Sequence, residues 1–227
     1  LGDLMDHVAD KGVAENTLIL FVGDNGSDGP LGDTYGYFSS APLRGKKGTC
    51  YEGGMRVPFI AGWAKAGKAT PFKIARNHLH HEQIGTVMDI FSTIVDASHS
   101  NAPAKHTVDG VSLLPQLSGK TNNERPDHFM CHFPHSHRSS YFTSFRKGDW
   151  KLIYRYLTGE GKRKSKKPLP KYELYNLKND PYETKNLALG NTNKTNEMIG
   201  LMRKQLEKED ALFPVRDDRK LRPQLIK

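Results

Sequence analysis

Leu18-Ile-Leu-Phe-Val22, running straight into Gly23-Asp24-Asn25-Gly26, is the stretch on which the fold turns. Five consecutive apolar residues between polar flanks suit a strand covered on both faces, as a central parallel strand is. Upstream, Leu1, Leu4, Met5 and Val8 fall at helical spacing, and the helix is expected to stop near Gly12. Helix, short loop and buried strand read as half of a βαβ unit, hence an α/β architecture. Residues 26–50 are rich in Gly, Ser, Asp and Pro, a long loop at the carboxyl end of the strand. Ligands of α/β sheets gather there, and loops of such length are uncommon unless functional.

Working outward, Arg56–Trp63 (RVPFIAGW) reads as a second strand, and Pro58 places it at an edge or at a strand start. Ile84–Val95 carries a helical stripe of Val87, Ile90, Phe91, Ile94 and Val95. Residues 98–126 read as connecting loop with a short element at Val111–Leu117. From about residue 127 the texture changes. His128–Phe133, Tyr141–Arg146, Trp150–Leu157 and Tyr172–Leu177 are short strand-like runs, and Lys147-Gly148-Asp149 is a turn signal. The basic stretch 158–171 reads as a hairpin tip. Asn196–Leu212 is a last amphipathic helix with Ile199, Met202 and Leu206 on one face and Pro214 just past its end. The reading is two regions: residues 1–126, α/β, and residues 127–227, four antiparallel strands with a helix.

In the 227 residues, 34 Lys and Arg outweigh 25 Asp and Glu, a net charge of +9. That excess favours anionic partners: nucleic acid, an acidic surface, or a sulfated or phosphorylated substrate. Lys162, Arg163, Lys164, Lys166, Lys167 and Lys171 form its densest run. The run lacks the interleaved aromatic residues of a single-strand binder, so no nucleic-acid partner is expected. Two cysteines, Cys50 and Cys131, exclude a disulfide scaffold and a four-cysteine zinc site. No apolar stretch approaches the ~20 residues of a membrane-spanning helix.

Three segments carry chemistry. Asp24-Asn25 offers a carboxylate and a carboxamide oxygen at a strand end, suited to a hard divalent cation such as Ca²⁺ or Mg²⁺; two residues do not complete a shell of about 6–8 oxygens, and taken alone the pair is more simply explained by an Asp-Asn-Gly turn. Leu43-Arg-Gly-Lys46-Lys47-Gly-Thr49 puts ammonium groups between small residues, so that backbone and cation can both approach an anion; a solvated basic loop is the plain alternative, and the spacing is not that of a Walker loop. Tyr51-Glu52-Gly53-Gly54-Met-Arg56-Val-Pro58 has paired glycines that permit a sharp bend and close packing, with Glu52 and Arg56 suited to supporting ion pairs.

Taken in order, these segments resemble the formylglycine-dependent sulfatase family. LILFVGDNG looks like the family's strand ending in Asp-Asn, and PLRGKKGTCYEGGMRVPFIAGW like its lysine-bearing segment and Glu-Gly-Gly bend. MDIFSTIVDAS is similar to the family's Asp-Leu-Phe-Pro-Thr helix, with Ser92 where Pro is usual. DGVSLLPQLSGK, RKGDWKLIY and YELYNLKNDPYETKNLA match recurring segments, so the resemblance extends to about residue 190. It implies an alkaline phosphatase-like α/β domain, of which residues 1–126 are the C-terminal remainder, and a smaller C-terminal subdomain in residues 127–227. It implies that Asp24 and Asn25 are ligands of a Ca²⁺ ion holding the sulfate oxygens. Lys47 then contacts the sulfate, while Lys46 sits where the family varies. The activity implied is sulfuric ester hydrolysis on a sulfated carbohydrate or aryl sulfate.

The departures matter as much. The family's nucleophile lies in a Cys/Ser-x-Pro-x-Arg motif converted to formylglycine, whereas Cys50 precedes Tyr-Glu-Gly and Cys131 precedes His-Phe-Pro-His. The paired metal-binding aspartates are also absent. The expectation is a C-terminal half, partnered by a missing N-terminal half, inactive alone and prone to self-association. An extracytoplasmic location, with any signal peptide upstream of Leu1, follows from the resemblance alone. His132, His135, His137 and Arg138 form one more cluster, open to three readings: a zinc site, a polar loop, or a substrate mouth where His135, His137 and Arg138 meet sugar hydroxyls or a neighbouring sulfate. The rivals to hydrolysis of sulfate esters are a phosphodiesterase or phosphonate hydrolase of the same superfamily, and a non-catalytic polyanion-binding module.

Overall fold

The apolar run Leu18–Val22 is a strand, β1, but its ladder partner is Phe59–Trp63, β2, and the two run antiparallel, with Leu18 opposite Trp63 and Val22 opposite Phe59. The helix, short loop and strand read as half of a βαβ unit are present, but β1 has no parallel neighbour among the described residues of the computed structural model, which are 1–28, 40–75, 83–135, 141–158 and 168–226. A continuous apolar run specifies burial but not the direction of its partner. Nor is the ladder covered on both faces: Phe21 and Ile60 are exposed. β2 begins directly after Pro58, as the missing proline N–H requires.

Contacts divide the chain into two units, Leu1–Asp24 with Val57–Asp127, and Asn25–Arg56 with His128–Lys227. The first holds α1 (Gly2–Asp10), β1, β2, α3 (Asp89–Ala97) and α4 (Leu114–Leu117); α2 (Glu52–Met55) belongs to the second. Its organising element is a buried ion pair. The Asp89 carboxylate, 2.8 Å from Arg125 Nη1, also accepts from the Thr86 and Val111 amides, while Arg125 donates to the Ile84 and Val111 carbonyls. These added bonds help to offset the cost of holding the pair away from water, with Arg125 Nε left without a hydrogen-bond partner among the described residues. Ser92, at the expected proline position, donates its hydroxyl to the Gly110 carbonyl at 2.7 Å. Of the helical stripe, Val87, Phe91 and Ile94 are exposed.

The second unit carries a four-stranded antiparallel meander, β3 (His128–Phe133), β4 (Phe142–Lys147), β5 (Trp150–Arg155) and β6 (Tyr172–Asn176), in that spatial order. Lys147 pairs with Trp150 across a two-residue turn in which Gly148 takes φ 53, a positive angle that glycine adopts without steric cost. Alternation along the strands divides the sheet's two faces. Leu152, Tyr154 and Leu174 face α5 (Thr192–Lys208), which presents Met198, Ile199, Met202 and Leu206 at helical spacing, and all seven are buried. Asn191 caps α5 by accepting from the Lys194 amide. β7 (Val215–Arg216) and β8 (Arg219–Lys220) form a short terminal hairpin.

The other face of the sheet carries Lys151, Ile153 and Arg155 on β5 with Glu173 and Tyr175 on β6. It is covered by residues 43–56, with Cys50, Phe142, Ile153 and Tyr175 as its apolar centre. Residues 25–56 were expected with the first region, and the described ones among them, 25–28 and 40–56, pack with the second. The physical reason is the set of buried charges on β5 and β6, which find their partners in residues 44–52. The architecture is mixed α/β with antiparallel sheets.

Candidate functional site

Three segments singled out from the sequence meet inside the second unit by backbone contact. The Gly26 amide donates to the Gly54 carbonyl at 3.1 Å, and the Lys47 amide donates to the Ser27 carbonyl at 2.9 Å. No room is left for side chains there. A Cβ on Gly26 would lie 2.2 Å from the Gly53 oxygen, one on Gly53 2.6 Å from the Gly45 oxygen, and one on Gly54 2.5 Å from the Thr49 oxygen. The Asn-Gly pair, the lysine loop and the Glu-Gly-Gly bend are thus one interlocked piece, and the glycines are required by close approach rather than by flexibility.

The lysine loop is closed by its own residues. Thr49 Oγ1 donates to the Lys46 carbonyl and accepts from the Lys46 amide, while Gly45 and Gly48 take φ 84 and 81. Lys47 is partly buried, and among the described residues its ammonium has no ion-pair partner. Asn25 donates its amide nitrogen to the Gly26 carbonyl at 3.1 Å, which leaves the side-chain acceptor, Oδ1, outside that bond. Asp24 is exposed. A carboxylate and a carboxamide oxygen match the hard-donor preference of Ca²⁺, but they fall short of its ~6–8 oxygens. Among the described residues no group of three or more His, Cys, Asp or Glu gathers for a metal. In the histidine cluster, His132 bonds the Thr143 hydroxyl and the Leu212 carbonyl. His135 is exposed beyond β3, its ring 3.8 Å from that of Phe133. His137, Arg138 and the basic run 162–167 lie outside the described residues.

Beneath the loop is a buried charge network, in which Glu52 makes the supporting ion pair expected of it while Lys151, Arg155, Glu173 and Glu183 were not anticipated. Lys151 Nζ lies 2.8 Å from Glu52 Oε1 and 2.8 Å from Glu183 Oε1, and Glu183 Oε2 accepts from the Glu52 amide at 2.6 Å. Beside it, Arg155 pairs with Glu173, which also accepts from the Tyr51 and Tyr175 hydroxyls. Arg44 donates to the Tyr175 hydroxyl and the Glu183 carbonyl and stacks 3.8 Å over the Tyr51 ring. Burial pushes the Tyr51 phenol up to about 12, with Arg155 opposing, so it stays a neutral donor. Burial likewise raises the Cys50 thiol although Arg155 Nη2 lies 3.2 Å from its sulfur. A buried thiol with a raised pKa is a poor nucleophile, in accord with its lack of the Cys-x-Pro-x-Arg context. The signal available in the sequence was the charge set into apolar strands, Trp150-Lys151-Leu152 and Tyr172-Glu173-Leu174.

Comparison with known proteins gives a consistent result. Residues 1–100 match the family described as Sulfatase. The chain is 32% identical over 126 residues to N-acetylgalactosamine-6-sulfatase of Canis lupus familiaris, covering 56% of this chain and 22% of that protein. It is 32% identical over 190 residues to a sulfatase of Formosa agariphila, covering 79% of this chain and 30% of that one. The structure of BT4656 in complex with its substrate D-glucosamine-2-N,6-O-disulfate superposes with a TM-score of 0.62 at 24% identity. That superposition covers 92% of this chain and 38% of that chain. The fold is thus that of sulfatase structures, and the chain spans well under half the length of these relatives.

Proposed function

This chain belongs to the sulfatase family, and from that premise we propose that the intact protein is a sulfuric ester hydrolase acting on a sulfated carbohydrate. The observation that carries the reading is Lys47: an ammonium without a carboxylate partner among the described residues, held by backbone bonds against the Asn25-Gly26-Ser27 segment. The sugar class is supported by relatives named for galactosamine and glucosamine sulfates.

In this reading the Lys47 ammonium faces the sulfuryl oxygens. Held in place before reaction, it stabilises the charge that builds on them and on the departing oxygen without having to reorganise. Asp24 and Asn25 would hold Ca²⁺, which when bound polarises the sulfuryl oxygens as a Lewis acid. His135, His137 and Arg138 would contact sugar hydroxyls or a neighbouring sulfate. The formylglycine nucleophile has no counterpart at Cys50 or Cys131, so the 227-residue chain by itself does not turn over sulfate esters. An extracytoplasmic location fits this activity, and no helix among the described residues is long and apolar enough to cross a membrane.

The test is sulfate release from sulfated hexosamines and 4-nitrophenyl sulfate by the natural protein, with and without Lys47→Ala. Losing one preorganised charge-stabilising donor is expected to lower kcat about 10²–10³-fold. An unchanged rate removes Lys47 from the mechanism. Turnover by the purified 227-residue chain above its own Lys47→Ala control refutes its inactivity. Cleavage of phosphodiesters in preference to sulfate esters would turn the assignment to the phosphodiesterase branch.

A further inference from the structure

We propose that Glu183 is a positioning residue that clamps both feet of the Lys46–Lys47 loop and so sets where the Lys47 ammonium is presented. The role assigned to Lys47 rests on the sulfatase reading; the clamp itself rests on geometry.

The loop leaves the sheet surface at Arg44 and returns at Glu52, and a backbone bond from Gly53 to the Arg44 carbonyl, 2.7 Å, joins the two feet. Glu183 holds each of them. Its carbonyl accepts from Arg44 Nη1 at 2.8 Å, and its carboxylate accepts from the Glu52 amide at 2.6 Å. The same carboxylate shares Lys151 with the Glu52 side chain, so the returning foot is held through backbone and side chain at once.

Glu183 is wholly buried and takes φ 55, the left-handed region that a residue with a long side chain rarely occupies. Such a conformation is strained and persists only where surroundings compensate. The compensation is on both sides. Asp180 accepts from the Thr184 amide and hydroxyl and from the Lys185 amide, which builds the turn. The two feet of the lysine loop supply the rest. Placing the backbone carbonyl and the carboxylate of one residue on the same side, each toward a different foot, is what the left-handed turn achieves. This gives the Asp180-Pro-Tyr-Glu183 segment, 131 residues from Glu52, a purpose beyond chain reversal.

The experiment uses the full 227-residue chain and hydrogen exchange resolved to single amides. Glu183→Gly removes the carboxylate while relieving the positive φ, and Arg44→Met severs the other foot at a half-exposed side chain where folding is not at stake. Both are expected to speed exchange of amides 45–51 about 10–100-fold, with β4, β5 and α5 amides within about 3-fold of the parent. If Glu183 served only the turn, Glu183→Gly would leave the loop as protected as before, and that result overturns the clamp. A uniform rise across the whole second unit overturns it as well. In the natural protein the same variants should lower kcat more than they raise KM. Faster loop exchange with unchanged kcat keeps the clamp and removes Lys47 from catalysis, whereas unchanged loop exchange removes the clamp whatever the turnover.

Discussion

Replacing Lys151 by Met tests the buried network most directly. Its ammonium is within 2.8 Å of both the Glu52 and Glu183 carboxylates and is 1% exposed, while the nearest other cations, Arg56 and Arg146, stand 3.9 Å from Glu52 Oε2. Without it, two carboxylates face each other in a site closed to water. Breaking a buried pair in this way costs about 3–5 kcal/mol, a large part of the ~5–15 kcal/mol that holds a domain together. The loss must also depend on pH. Burial already raises Glu183 above its ordinary carboxylate value of 4.5, with Lys151 opposing, so removing Lys151 raises it further. A carboxyl whose folded pKa exceeds its unfolded one stabilises the fold fully below the unfolded value. That contribution is lost as pH rises through the folded value, by up to about 1.4 kcal/mol per unit. The destabilisation by Lys151→Met is therefore expected to grow by up to about 2–3 kcal/mol between pH 5 and pH 7. Urea unfolding followed by Trp150 fluorescence in a Trp63→Phe background reads it. Adding Glu183→Gln to Lys151→Met should recover part of the loss at pH 7, since it removes the second buried charge. A loss below about 1 kcal/mol, or one equal at both pH values, would refute the reasoning.

Two further outcomes follow from particular residues. Asp180 and Glu183, three positions apart in one turn, should titrate in opposite directions from their ordinary values, as carboxyl-carbon NMR would show. Burial alone would raise Asp180, but the Thr184, Lys185 and Tyr182 amides and the Thr184 hydroxyl overcome it, so its stabilisation is present above 3.8 and lost as pH falls through a lowered value. The isolated chain should self-associate, because Val87, just before α3, and Phe91 and Ile94 on it leave an apolar stripe exposed at 52%, 41% and 51%. Light scattering that reports a monomer at all concentrations overturns this, and Phe91→Lys with Ile94→Lys should reduce the association.

The strands β3 to β6 and helix α5 were legible because their information is local. Alternating Leu152 and Tyr154, the Lys147-Gly148-Asp149 turn, and the spacing of Ile199, Met202 and Leu206 each declare an element within a few residues. The paired glycines were legible as a place of close packing, and Gly53 and Gly54 do lie against the backbone of residues 43–49. The direction of β1 was not, since Leu18–Val22 carries no mark of which neighbour it pairs with. The burial of Lys151, Arg155 and Glu173 was hidden for a related reason. Period-2 alternation says that they share a face but not what covers it, and charges on an alternating strand ordinarily face water.

That hidden layer bears on what the lysine loop can do. A loop of glycines and lysines on its own is mobile, and a mobile ammonium spends most of its time away from any one anion. Arg44, Tyr51 and Glu52 are fixed to β5, β6 and the 180–186 turn by charge-assisted bonds, which are shorter and stronger than neutral ones. Preorganisation of this kind is what lets a single cation contribute to a transition state rather than merely to binding. Buried ion pairs seldom add net stability over apolar replacements, so the triad of Lys151 with two carboxylates is better explained by the geometry it imposes. On this argument an all-apolar replacement of Lys151, Glu52 and Glu183 would leave the second unit folded while releasing the loop. The chain would then retain its sheet and helix but no longer hold Lys47 in a defined position.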